Sequence, residues 1–112
     1  MKDVFGAFKL PNGQPAAGAT LTLLISQDCI ASDGSGEIGR YPISVTLDAE
    51  GNIPTSTSLE GMPLQANDEI LPAGTTYFVT LRDPVFGMIY KERLTIAGTS
   101  PINLALIAPA LN

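Results

Sequence analysis

The chain of 112 residues contains no histidine, no tryptophan and a single cysteine. Without His it lacks the commonest general base, the Ser-His and Cys-His nucleophile pairs and the usual zinc ligand. Cys29 has no second cysteine to pair with, so the fold is expected to hold by core packing alone. Its thiol reads as a buried or half-buried free group, with an intermolecular disulfide as the other reading. Positive charge is equally scarce. The only basic residues are Lys2, Lys9, Arg40, Arg82, Lys91 and Arg93, scattered along a chain of net charge −5. Nucleic-acid binding needs clustered cations that displace counterions, so no nucleic-acid partner is expected. The opening "MKDVFGAFKL" carries Asp3 and lacks the apolar run of about 7–15 residues that a secretory leader needs. No stretch approaches the roughly 20 apolar residues of a membrane span, so no membrane partner is expected.

What the chain does have is alternation. "ATLTLLIS" sets Leu21, Leu23 and Ile25 against Thr20, Thr22 and Leu24. "PISVTLD" sets Ile43, Val45 and Leu47 against Ser44, Thr46 and Asp48, and "TTYFVTLRD" sets Tyr77, Val79 and Leu81 against Phe78, Thr80 and Arg82. A period of two rich in β-branched and aromatic residues is the pattern of half-buried strands. "DVFGAFKL", residues 3–10, reads as a first strand, and "MIYKERLTIA" and "INLALI" as the last ones. The best helical candidate, "SLEGMPLQANDEI", is interrupted by Gly61 and Pro63, so at most one short turn of helix is expected there.

Eleven Gly and nine Pro punctuate these runs. Asn12-Gly13 is a turn dipeptide, and "DAEGN" at 48–52 and "DPVFG" at 83–87 read as hairpin turns. Strands at 8–12-residue spacing predict an all-β, antiparallel sandwich of about seven strands, with almost no helix. The chain length predicts one domain, residues 1–112. Two segments stand outside the strand pattern: a long irregular loop at 27–41 and an apolar tail at 102–112.

No constellation of residues points to a reaction. Asp28, Asp33 and Glu37 sit in the long loop, a composition that calcium sites also use, but without the EF-hand spacing. A solvated polar loop is the simpler reading. Carboxylates at 48–52 and 67–69 have the residue types that turns use for backbone reasons. "GSGEIG" lacks the Lys-Ser/Thr of a phosphate loop. No enzyme activity and no cofactor are expected.

"NGQPAAGATLTL", "TLDAEGNI" and "LPAGTTYFVTL" together resemble the small transthyretin-like sandwiches known as carboxypeptidase regulatory-like domains. Gly6, Asn12, Gly13, Pro15, Gly18, Ala19, Asp48, Gly51, Pro72, Gly74 and Tyr77 match that pattern in order. Asn12, Gly13, Gly51, Pro72 and Gly74 are its structural turn positions, and the Gly18-Ala19 step is expected to let a strand approach its neighbour closely. "ISVTLDAEGNI", "LQANDEILPAGTTYFVTLRD" and "IYKERLTIAGTSPINL" also look like modules of tailed-bacteriophage particles: tail-fibre bases and small head or tail accessory proteins. That resemblance implies a non-enzymatic virion protein, a capsid decoration or a tail or fibre accessory. Its partners would be phage capsid or tail proteins, and it would be a homo-oligomer or bound to a lattice. The alternative is a bacterial secreted or surface binding module, perhaps carbohydrate-directed; the missing tryptophan weighs against it.

The tail supplies the expected contact. Ile102, Leu104, Leu106, Ile107 and Leu111 make the end of the chain nearly all apolar, where polar residues are the norm. Docking on another subunit and packing on the chain's own sandwich both fit that composition, and the first is taken as the expectation.

Overall fold

The computed structural model describes residues 2–54 and 62–106. Among them the chain is all-β, with ten short strands in three sheets. The largest sheet has four strands in the order β5-β2-β8-β9, with β2 at Thr20–Ile25, β5 at Ile43–Thr46, β8 at Tyr77–Asp83 and β9 at Gly87–Leu94. The two strongest alternations of the sequence, β2 and β8, are its central strands. Their apolar rows face each other across the ladder: Leu21 opposite Leu81, Leu23 opposite Val79, and Ile25 opposite Tyr77. All six are buried. Each such side chain contributes about 1.5–3 kcal/mol by leaving water, which is why these two strands anchor the core.

A second sheet joins β1 (Lys2–Phe5), β6 (Met62–Leu64) and β10 (Ile102–Asn103). β1 runs antiparallel to β6 and parallel to β10, placing Val4 opposite both Met62 and Ile102. The third sheet is built from β3 (Cys29–Ala31), β4 (Glu37–Ile38) and β7 (Ile70–Leu71). One continuous core includes Val4 and Ile102 of the second sheet and Cys29 and Ile70 of the third. Leu47, Ile53 and Ile96 enter it from the connections.

Several expectations are corrected. The loop at 27–41 is not irregular: Cys29 pairs with Ile38 and Ile30 with Glu37, so it closes as a small hairpin that β7 extends. Its paired segments are too short to show a period. The first strand ends at Phe5, because residues beyond it make single bridges, Ala7 to Asn52 and Lys9 to Pro15, instead of a ladder. The turn at 48–52 is real but is not a hairpin: after it the chain crosses to Ala7 and does not return along β5. The hairpin at 83–87 is present, joining β8 to β9. In the stretch proposed for a turn of helix, Asn67–Glu69 forms a single 3-10 turn, with the Glu69 carboxylate accepting from the Ala66 N–H.

The turn residues sit where the sequence placed them. Asn12 accepts the N–H of Gln14, and Gly13 adopts φ +85°. Gly18 has φ +74° with nothing near its missing Cβ, so its role is the turn, not a close approach. The close approach is at Gly51, against the backbone of Phe8. Pro72 and Gly74, the latter at φ +88°, make the turn that leads into β8.

Candidate functional site

The candidate tail contacts are dispersed. Ile102 and Leu104 are core residues, Ile102 set beside Val4 and Leu104 in a 3-10 turn at Leu104–Leu106. Placed there, neither is available to a partner. Leu106 is 80% exposed, and Ile107 and Leu111 lie outside the described residues. The tail is therefore partly local packing, and the exposed apolar surface gathers elsewhere.

It gathers first at the tip of the β8–β9 hairpin. Val85 is 84% exposed and Phe86 56%, with Met88 exposed beside them. Two adjacent apolar side chains thus stand in water at the tip, on a turn tied by side-chain hydrogen bonds. The buried Asp83 carboxylate accepts the N–H of Val85 at 2.8 Å and of Phe86 at 3.0 Å through the same oxygen. That double acceptance explains Asp at the start of "DPVFG", as in other Asx turns. Gly87 closes the turn at φ +77°. Arg82, the residue before Asp83, is exposed.

The second gathering is a groove of about 710 Å³ at the third sheet, lined by Ile30, Ile38, Leu71 and Pro72, with Asp28 and Glu37 on it. Ile30 and Leu71 are each 46% exposed. They stand opposite each other in the β3–β7 pairing, forming one apolar step. Arg40, just beyond, turns its Nε onto the Ile25 carbonyl at 3.0 Å.

Cys29 also lines this groove, but its thiol is buried. Burial, with the Asp28 charge as the smaller cause, pushes its pKa up. A thiol with a raised pKa carries little thiolate at neutral pH and is a poor nucleophile. In the same hairpin, Asp33 accepts the Ser35 N–H at 2.9 Å, and the Ser35 hydrogen bonds lower its pKa. It caps its own turn. Among the described residues no group of three or more His, Cys, Asp or Glu stands close enough to hold a metal ion. No helix among them is long and apolar enough to cross a membrane.

Sequence reasoning identified the turn at 83–87 but not the exposure of its two apolar residues. The signal was present: Val-Phe between Pro and Gly, where tips usually carry polar residues. In comparisons with known proteins, no family model, curated protein or solved structure matches this chain.

Proposed function

We propose that the chain is a non-enzymatic structural subunit of a tailed-phage particle, a head decoration or a tail or fibre accessory, folded as a transthyretin-like β-sandwich. The observation that carries this reading is where apolar surface remains outside. Among the described residues an apolar core is buried, yet large apolar side chains stand in water at the β8–β9 hairpin tip, in the groove beside β3 and β7, at Tyr41 and Ile43, and at Leu106. Such surface on a small domain marks a place to bind protein. The repeated symmetry of a particle multiplies a small contact per subunit into stable attachment. The turn and strand motifs that resemble phage modules supply the kind of assembly.

The test is mass spectrometry of purified virions with quantification of this chain. A fixed copy number per particle is the expected result. Its absence from particles, with recovery in a secreted or cell-surface fraction, would overturn the reading in favour of a bacterial binding module.

A further inference from the structure

We propose that copies of this chain join head to tail, the β8–β9 tip of one copy seating in the groove between β3, β4 and β7 of the next. The inference rests on the proposed role as a subunit-binding protein and names the two surfaces that carry it.

Position comes first. The groove lies toward the beginning of β8: the Ser26 N–H, two residues before Asp28 of its lining, donates to the Thr76 carbonyl just ahead of Tyr77, and Tyr77 shares an adjoining cavity with Glu37 and Ile38. The tip lies at its end, after Asp83. Seven residues of extended strand separate them by about 20 Å, so one copy cannot fill its own groove with its own tip. Two unlike surfaces at opposite ends of one strand make a heterologous contact, which repeats to give a ring or a filament.

Chemistry comes second. The tip offers Val85 and Phe86, and the groove offers Ile30 and Leu71, apolar against apolar. The flanking charges are opposite: Arg82 beside the tip, Asp28 and Glu37 along the groove, with Arg40 just beyond it held by its Nε on the Ile25 carbonyl. Asp83 has already fixed the backbone of the tip, so little ordering cost remains to be met on binding. Edge-to-edge pairing through β9, one competing route, is discouraged by the consecutive charges Lys91, Glu92 and Arg93 on that edge strand.

The experiment is sedimentation velocity on the full chain from about 1 µM to about 1 mM, the span of a weak to moderate contact. The weight-average mass is expected to rise with concentration beyond that of a dimer. Phe86→Asp removes the tip and leaves the groove; Ile30→Asp removes the groove and leaves the tip. Each alone is expected to weaken association at least tenfold, while an equimolar mixture forms a one-to-one dimer that grows no further. Circular dichroism checks that both variants fold. Should either fail to fold, the charge pair decides: Arg82→Glu and Glu37→Lys each weaken association, and the chain carrying both recovers it.

A wild-type chain that stays monomeric throughout overturns the proposal. So does an oligomer untouched by both apolar variants, a mixture that does not pair, or a charge exchange without recovery. A monomeric chain that is nevertheless found in virions rejects this contact and leaves the particle role standing. A self-associating chain absent from virions does the reverse.

Discussion

The α-carbon of Gly51 sits against the backbone of Phe8 so closely that a Cβ there would lie 2.5 Å from the Phe8 carbonyl oxygen. The two residues are also bonded: the Phe8 N–H donates to the Gly51 carbonyl at 3.0 Å. The same Phe8 carbonyl accepts from the Ala16 N–H at 3.0 Å, so three segments meet at one point with no room for a side chain. Gly51 stands at φ +78° besides. Gly51→Ala is therefore expected to cost about 3 kcal/mol or more, from strain plus displaced backbone hydrogen bonds. A thermal melt checks it; a loss under about 1 kcal/mol would mean the corner gives way easily.

Gly74 is the contrasting case. Its φ of +88° is equally unfavourable for other residues, but nothing lies within 4 Å of its missing Cβ. Gly74→Val should then pay only the conformational cost, about 1–3 kcal/mol. Gly74→Ala should cost less than Gly51→Ala, since both adopt positive φ and only Gly51 is crowded. Equal losses in the two alanine variants would show that steric room is not what separates these turns.

The sequence predicts a simple turn at 67–69, and within it the structure makes Asn67 a buried junction. Its side-chain oxygen accepts the Ile96 N–H at 2.7 Å, its Nδ2 donates to Thr75 Oγ1 at 3.1 Å, and its own N–H donates to the Ile96 carbonyl at 2.7 Å. Asn67→Leu keeps the branching at Cγ, adds bulk and strands two buried polar partners, at a cost of about 2–4 kcal/mol. Thr75→Val leaves Asn67 Nδ2 unsatisfied and should cost about 1–3 kcal/mol. Chemical denaturation of the two single variants and the double variant should show losses that do not add, because the sites share a bond. Full additivity would dissolve the junction as a unit.

The parts of this fold that were legible in sequence are those where a strand has one wet and one dry face. β2 and β8 have both neighbours in the sheet and one buried row each, so their alternation is clean. β5 shares the period but is an edge strand, and its expected inward row is buried only in part: Ile43 is exposed, Val45 is half-buried against the core, and Leu47, just past the strand, is in it. β3, β4 and β7 are two or three residues long, less than any period can register. The tail misled for a different reason. Apolar composition does not distinguish Ile102 and Leu104, which close the core, from Leu106, which does not. The tip and the groove are each made of residues distant from the other in sequence. Their opposition across β8 exists only once the strands are paired.

At low pH the point to watch is Asp68. Its carboxylate meets Lys2 Nζ at 2.7 Å and accepts the Gly98 N–H at 3.1 Å, with Lys2 also donating to the Gly98 carbonyl. The Lys2 hydrogen bond is the main cause holding the Asp68 pKa below the ordinary carboxylate value. A lowered folded-state pKa stabilises the fold above the unfolded value, about 3.9, and that stability is lost as pH falls through the folded value. The pair is partly exposed, so the effect is modest and screened by salt. Lys2→Met should lower the melting temperature at neutral pH, and its difference from wild type should shrink in low-salt melts taken below about pH 4. A constant difference across that range would remove the ion pair as its cause.

At high pH the corresponding group is Tyr77. Its hydroxyl donates to the Gln65 carbonyl at 2.6 Å, tying β8 to the segment after β6. Burial, and secondarily the negative charges of Cys29 and Glu69, push its pKa up to about 12. The neutral phenol is the form the fold prefers. Its contribution is whole below the unfolded value, about 10, and is lost as pH climbs from there through about 12. Absorbance titration near 295 nm should therefore show a late phenolate step that Tyr77→Phe deletes. The same variant should lose about 1 kcal/mol at neutral pH, for the hydrogen bond to Gln65. Its stability should then fall less steeply than that of wild type between pH 10 and 12. If wild type and Tyr77→Phe lose stability in parallel over that window, the buried hydroxyl does not govern alkaline unfolding.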